Sequence, residues 1–361
     1  MDVGSGLSPR VSVLLPVYGG AAHVGAAVES VLAQTFADFE LLVLDDCSPD
    51  ESAAIAEGFG DERIRVVRNE RNLGQVATLN RGLRKARGEL VARLDQDDVC
   101  LPRRLERQVA LLDAEPAVAV VGAWVDVVDE SGRVVDTLRT PLDGVVDAVF
   151  LTLRDRLPLA HPSVTLRREP ALAAGGYDES VRYCEDMDLW RRLLLAGHGL
   201  RVVREPLLRY LVHGGQQSSR HAEEQRANNE AALERFLAAV APEADARLLR
   251  LLFTRELDLW RELDDGGRLV RSLELLLDGA AARFGLAPAE RDDLERRVRA
   301  HVARVAAAGW RTGSVHWRRV APALARFGGG GVRFAAAYAA SPALALARAS
   351  LGRRSAGGER A

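Results

Sequence analysis

The chain has 361 residues, 48% of them hydrophobic and 28% charged, which suits two or three globular domains at roughly 100–200 residues each. Its 49 Lys and Arg nearly balance 51 Asp and Glu, and a net charge of -2 excludes an overall basic nucleic-acid binder. Three cysteines, Cys47, Cys100 and Cys184, are too few for a disulfide scaffold and lack zinc-finger spacing.

In chain order, Val11–Leu15 reads as a strand stopped by Pro16, and Val24, Ala27, Val28, Val31 and Leu32 recur at helical spacing. Leu41–Leu44 is a second strand, ending in Asp45-Asp46. Ser48-Pro49-Asp50-Glu51 reads as the cap and first turn of the next helix. Ile64–Val67 is a third strand. Val76, Leu79, Asn80 and Leu83 mark a helix that Gly88 ends. Glu89–Leu94 is a fourth strand, running into Asp95-Gln96-Asp97-Asp98. Pro102 opens a helix bearing Leu105, Val109 and Leu112, and Ala117–Val121 is a fifth strand. This alternation predicts an α/β fold with a parallel sheet covered on both faces, and ligands outside the carboxyl ends of its strands.

Residues 122–160 hold valine pairs around turns at Ser131-Gly132 and Asp143-Gly144, an insertion suited to part of an acceptor site. His161–Leu166 reads as a strand and Gly175-Gly176-Tyr177-Asp178 as a turn. Glu185-Asp186 opens a helix through Leu195 that Gly197 or Gly199 ends, and Leu200–Val203 and Leu207–Val212 read as two strands. From residue 222 the chain turns dense in Glu, Arg, Ala and Leu, with Pro242, Pro288 and the glycines 266, 267 and 279 separating helical segments. Two domains are expected, residues 1–221 and a helical region 222–361.

Acidic residues collect at strand ends. Asp95-x-Asp97-Asp98 suits a hard divalent cation and a diphosphate, and a solvated acidic turn explains the same tripeptide. Glu185-Asp186 suits a general base, with a helix cap as the structural reading; the helix start would keep such a carboxylate anionic rather than raise its pKa. His213, in a loop past a strand, could complete a metal site with the acidic loop. His161 reads as structural, Arg167 and Arg168 as facing phosphate or water, and the cysteines as small buried fillers.

The ordered motifs carry a resemblance. Val13-Leu14-Leu15-Pro16-Val17-Tyr18, Ser30-Val31-Leu32-Ala33-Gln34-Thr35, and Phe39 through Ser48 resemble the opening of the family 2 glycosyltransferases, inverting enzymes of GT-A type. Arg68-Asn69-x-x-Asn72-Leu73-Gly74, Asn80-x-Gly82, Leu94-Asp95-Gln96-Asp97-Asp98, Gly175–Asp178, Glu185-Asp186-x-Asp188-Leu189-Trp190 and Arg209-Tyr210-x-x-His213 continue it, covering residues 10–220. The resemblance implies a nucleotide-diphosphate sugar donor, Mn²⁺ or Mg²⁺, and a Rossmann-like, mostly parallel sheet flanked by helices. By position, Pro16, Val17 and Tyr18 line the base pocket, Asp45 meets the base, and Asp95 lies near ribose or phosphate. In the resemblance Asp97 matches the metal ligand, with His213, Asp98 is a further candidate, and Asp186 matches the catalytic base with Glu185 beside it. The implied acceptor is a glycan, a lipid-linked sugar or a small molecule, in cell-surface glycan or glycolipid synthesis.

Two positions depart from the family. Gly19 stands where Asn is usual, and Gln96 replaces a small residue. No Gln-x-x-Arg-Trp segment appears, so transfer of one or a few sugars is expected rather than processive synthesis. A nucleotidyltransferase and a non-catalytic nucleotide-sugar binder are the competing readings. Met1–Arg10 lacks a basic signal start and no apolar segment is long enough to span a bilayer, so a cytoplasmic location is expected. Residues 311–361 hold nine Arg against one acid, a net of +8, with aromatic residues between them. That composition predicts peripheral contact with an anionic membrane face, and self-association is compatible with the helical region.

Overall fold

The computed structural model describes residues 8–155, 159–213, 221–254, 266–311 and Phe327. Two compact units divide the chain: Met1–Ala148 with Leu157–Ala232, and Val149–Arg156 with Leu233–Ala361. The basic stretch expected to meet a membrane lies, beyond Arg311 and apart from Phe327, outside the described residues. Among the described residues, no helix is long and apolar enough to cross a membrane.

The first unit opens with β1 (Val11–Val17), α1 (Val24–Leu32), β2 (Phe39–Asp45), α2 (Ser52–Glu57), β3 (Ile64–Arg68), α3 (Gln75–Lys85) and β4 (Leu90–Arg93). There follow β5 (Val99–Cys100), α4 (Arg104–Ala114), β6 (Val118–Val128), β7 (Val134–Leu138) and α5 (Val145–Leu153), whose residues from Val149 on belong to the second unit. A 3₁₀ turn (His161–Ser163), β8 (Thr165–Arg167), α6 (Arg168–Ala173), α7 (Glu185–Leu195) and β9 (Gly199–Leu211) complete the sheet. Its order is β3-β2-β1-β4-β8-β6-β9-β5, with β7 against β6. The expected parallel arrangement holds for β3-β2-β1-β4. Beyond it the sheet is mixed: β8 is antiparallel to β4 and β6, and β9 is parallel to β6.

Alternation along β1 builds both faces. Val11, Val13, Leu15 and Val17 share a core with Val24, Ala27, Val28 and Val31 of α1 and Leu105, Val109 and Leu112 of α4. Leu14 points the other way, to α3, whose Gly82 lies so close that a Cβ there would stand 2.5 Å from Leu44 and 3.1 Å from Leu14. Asn80-x-Gly82 is thus partly a packing motif: the glycine lets α3 press onto the sheet.

Several local expectations change. Pro16 lies inside β1 rather than ending it. Residues 10 and 14 accept on the β4 side, so Pro16 faces that same side, where β4 no longer pairs, and its missing N–H breaks no rung. The helix after β2 starts at Ser52, because Asp50 rather than Ser48 accepts its first N–H, at 3.1 Å. α3 closes at Ala86, before Gly88; a Cβ at Gly88 would stand 2.7 Å from the Ser12 backbone nitrogen, so that glycine serves a close approach of chains. His161–Ser163 is 3₁₀ rather than strand. Residues 199–211 form one strand, whose register slips at Pro206 instead of breaking. The valine pairs of residues 122–160 become the β6–β7 hairpin and the start of α5.

Helix α8 (Ala222–Val240) begins in the first unit and ends in the second. The second unit packs α9 (Ala246–Thr254), α10 (Gly266–Phe284) and α11 (Pro288–Arg311) through Leu249, Leu252, Leu269, Leu273, Leu276, Leu294 and Val298. Gly279 does not interrupt α10. A Cβ there would stand 2.1 Å from the Val240 carbonyl, so the glycine marks a helix crossing.

Candidate active site

The site lies where β1, β2 and β4 end. Val17 closes β1, and its carbonyl accepts from the Asp46 N–H at 2.9 Å. Beyond it the Tyr18 side chain is 52% exposed and Gly19 has a φ of 63°. Four consecutive amides of this loop are already used. Tyr18 donates to Gln96 Oε1 at 2.9 Å, Gly19 to Ser48 Oγ at 3.3 Å, Gly20 to Ser52 Oγ at 2.9 Å, and Ala21 to Asp50 Oδ2 at 3.0 Å.

Asp45 and Asp46 have different tasks. Asp45 is buried, accepts from the Ser48 N–H at 3.0 Å and lies 4.0 Å from Arg68. Asp46 is buried and accepts from Asn69, from the Leu73 N–H at 2.7 Å and from the Gly74 N–H at 2.8 Å. The Arg68-Asn69-x-x-Asn72-Leu73-Gly74 motif is therefore a loop folded around the Asp46 carboxylate. Cys47 between Ser48 and Asp46 is exposed with a φ of 61°, not the buried filler expected, because the chain turns sharply there.

The acidic loop after β4 is arranged by buried cations and by β9. Arg93 is 2% exposed and pairs with Asp95. Burial opposes its charge most strongly, but Asp95, Tyr177 and Asp98 together outweigh burial and hold the guanidinium protonated. Beneath it the buried Arg104 donates to the Arg93 carbonyl at 2.6 Å and to the Val164 carbonyl at 3.0 Å. Gln108, one turn on, donates to the Ser163 carbonyl at 2.7 Å. Arg104 and Gln108 escaped the sequence reading; their signal is an i, i+4 polar pair beside Leu105, Val109 and Leu112 on one helix face.

Val99 and Cys100 pair antiparallel with Arg209 and Leu208, and the Asp98 carboxylate accepts from the Leu211 N–H at 3.1 Å. This register carries His213 to Asp97, with Nε2 3.0 Å from Oδ2 and both side chains partly exposed. Asp98 itself is buried. Its other oxygen has no hydrogen-bond partner among the described residues, and burial, then Asp95 and Asp97, push its pKa well above the usual range. Asp98 is thus a tie between loop and strand.

On the other side, Asn80 pairs with the Tyr177 backbone, donating to its carbonyl at 2.8 Å and accepting from its N–H at 2.9 Å. Gly175 and Gly176 take φ of 90° and 70°, as the turn requires. Arg192, in the last turn of α7, donates to the Gly176 carbonyl at 2.8 Å and ties the far end of that helix to the turn, while its first turn carries the acids. There Glu185 and Asp186 stand side by side. Burial, then Asp186, pushes Glu185 up to about 7; burial pushes Asp186 up to about 6, against the opposing Met187 N–H and Arg93. This overturns the expectation of an ordinary, helix-stabilised carboxylate: desolvation exceeds what one N–H bond at 2.8 Å returns. Asp95 adds to the repulsion on Glu185, and Arg93 acts on both acids, so the acidic loop and the start of α7 share one electrostatic neighbourhood.

His161 is structural, as expected: it is buried, bonded to the Tyr177 hydroxyl at 3.0 Å, and kept neutral by burial and then Arg93. Arg167 and Arg168 are partly buried and donate to the Val118 carbonyl and the Leu83 carbonyl, each at 2.9 Å. No group of three or more His, Cys, Asp or Glu that could hold a metal occurs among the described residues. The Asp97–His213 pair nonetheless fits a Mn²⁺ or Mg²⁺ that takes its remaining oxygens from substrate and water, since both donors are partly exposed and of the right chemistry.

Comparison with known proteins agrees with this fold. The model of the family described as "Glycosyl transferase family 2" matches residues 12–172. The putative glycosyltransferase EpsE of Bacillus subtilis is 32% identical over 198 residues, 52% of this chain and 68% of that protein. The amylovoran biosynthesis glycosyltransferase AmsE of Erwinia amylovora is 32% identical over 203 residues, 55% of this chain and 74% of that one. The O-antigen biosynthesis glycosyltransferase WbnJ of Escherichia coli is 29% identical over 211 residues, 56% and 80%. Among solved structures, S. aureus TarS 1-349 in complex with UDP-GlcNAc aligns with a TM-score of 0.55 at 19% identity, over 84% of this chain and 92% of that one, a likeness of fold. The chain belongs to glycosyl transferase family 2, with a GT-A-type fold, and is a glycosyltransferase that uses a nucleotide-sugar donor.

Proposed function

We propose that the chain transfers a sugar with inversion from a nucleoside-diphosphate donor to a hydroxyl of a growing surface glycan or glycolipid. Asp186 takes the proton of the acceptor hydroxyl, with Glu185 beside it. The hydroxyl oxygen attacks the anomeric carbon on the face opposite the diphosphate, which leaves with the bonding pair. Pro16, Val17 and Tyr18 line the base pocket, Asp45 meets the base, and Asp95, held by Arg93, faces the ribose or phosphates. Asp97 and His213 would hold Mn²⁺ or Mg²⁺, which when bound supplies positive charge to the departing diphosphate.

The observation that carries this reading is the contrast between two acidic centres in one electrostatic neighbourhood. Asp97 sits partly exposed beside an imidazole, whereas Glu185 and Asp186 are desolvated to about 7 and about 6, the range of a base working near neutral pH. The nucleotidyltransferase reading needs free loop amides around phosphates, and the four amides of Tyr18–Ala21 already donate to side chains. The surface-glycan acceptor rests on the names of the amylovoran and O-antigen relatives. A location on the inner membrane face, reached through residues 311–361, would bring the site to a lipid-linked acceptor.

The test is a panel of nucleotide sugars with Mn²⁺ or Mg²⁺, following donor binding and slow donor hydrolysis, which needs no known acceptor. Once an acceptor is found, the anomeric configuration of the product is read by NMR. Retained configuration would overturn the inverting reading, and no binding to any donor would overturn the donor site.

A further inference from the structure

The edge of β1 that faces β4 has an unusual continuation. Leu14 accepts the last backbone bond of that pairing, from the Leu94 N–H at 3.0 Å. Pro16 has no N–H to offer on that edge. The next residue facing it is Tyr18, and there a side chain takes the place of a strand: Gln96 Oε1 accepts from the Tyr18 N–H at 2.9 Å, and Gln96 Nε2 donates to the Tyr18 carbonyl at 3.3 Å. An amide group binding both backbone atoms of one residue acts as one more rung of a ladder.

Gly20 is fitted to that rung. A Cβ at residue 20 would stand 2.3 Å from Gln96 Oε1 and 2.6 Å from its Cδ, well inside contact distance. Gly20 has no positive φ, so its lack of a side chain answers to space rather than backbone conformation. Gly19 beside it does take a positive φ, of 63°. Two adjacent glycines would leave this loop with more freedom than any other pair of residues. Both backbone atoms of Tyr18 are bound by one amide while the residue stays 52% exposed, a side chain presented rather than packed.

We propose that Gln96 is a positioning residue that locks the Tyr18 peptide, so that the loop after β1 is a preformed platform for the base of a nucleoside diphosphate, and that Gly20 exists to admit it. The inference rests on the donor-site reading above. Without the clamp, donor binding must also order a Gly-Gly loop, and that entropy is lost from affinity. The donor is held less tightly while the acids at the start of α7 are untouched, so the effect falls on donor affinity rather than on turnover at saturation.

A double-mutant cycle tests it. Calorimetry uses UDP, GDP, ADP and dTDP with Mn²⁺, carrying forward whichever the parent binds most tightly. Gln96→Ala should weaken that nucleotide about tenfold with turnover at saturating donor within about threefold. Gly20→Ala should cost about as much in the parent, by pushing Gln96 aside, and less than about twofold in the Gln96→Ala background. Equal affinity of Gln96→Ala and parent, or an equal cost of Gly20→Ala in both backgrounds, overturns the proposal. Amide hydrogen exchange without ligand gives a separate reading. The Tyr18 amide should exchange faster in Gln96→Ala while Gly20 and Ala21, held by Ser52 and Asp50, stay as they were. Unchanged exchange at Tyr18 overturns the clamp. If the parent binds none of the four nucleotides, the donor reading fails and the exchange result alone decides the clamp.

Discussion

Asp186→Asn should inactivate the enzyme and stabilise it at neutral pH. The carboxyl is pushed from its ordinary 3.8 up to about 6 by burial at the start of α7. A raised value means that the folded state holds the proton more tightly than the unfolded state does. Its contribution is therefore most favourable below the unfolded value and is lost as pH rises from 3.8 to about 6. Two units of difference correspond to about 3 kcal/mol of folding free energy given up near pH 7, and less than about 1 kcal/mol near pH 4. Asparagine keeps the size of the side chain and an oxygen for the Met187 N–H, now 2.8 Å away, but cannot ionise. The variant should gain about 1–3 kcal/mol near pH 7, the range allowing for a weaker bond from a neutral acceptor. Urea unfolding of parent and variant near pH 4 and near pH 7 measures this, and turnover measured alongside should fall by at least about a hundredfold. A variant less stable than the parent at neutral pH, or one whose gain is the same at both pH values, would refute the desolvation argument. Turnover within a few-fold of parent would pass the role of base to Glu185.

Asp97→Ala and His213→Ala should each abolish the Mn²⁺ dependence of nucleoside-diphosphate binding while leaving the melting temperature nearly unchanged, since both side chains are partly exposed; calorimetry with and without metal checks it. Arg93→Met leaves Asp95 without its buried partner and removes a positive charge acting on Glu185 and Asp186, so the acid limb of the pH–rate profile should move to higher pH; an unmoved limb would deny that shared neighbourhood. Gly88→Ala sets a Cβ 2.7 Å from rigid backbone and should cost about 1–3 kcal/mol, read by urea unfolding. Should the full chain ignore anionic vesicles at low salt in a sedimentation assay, the membrane reading of residues 311–361 is wrong; attachment predicts binding that falls with salt and vanishes on their deletion.

The strands and helices of the first unit were legible because each writes its period locally. Val24, Ala27, Val28 and Val31 announce the buried stripe of α1, and Leu41–Leu44 announces a strand covered on both faces. The acids that end β2 and follow β4 were legible for the same reason, since a strand end is a local event. What stayed hidden depends on contacts between residues far apart in sequence. The two-residue β5 is too short to carry any period, yet its antiparallel register with β9 brings His213 to Asp97 across 116 positions. Asp45 and Asp46 are the same residue type side by side and both buried, and only the fold gives one the Ser48 N–H and Arg68 and the other three donors. Composition cannot tell a solvated helix-start acid from Asp186, because its raised pKa comes from neighbours that exclude water. Local pattern thus determined which elements form and where their acids stand. The packing of those elements decided which acids meet a histidine or an arginine, which lose water, and which hold the chain in place, because burial and charge proximity are set by distance in space.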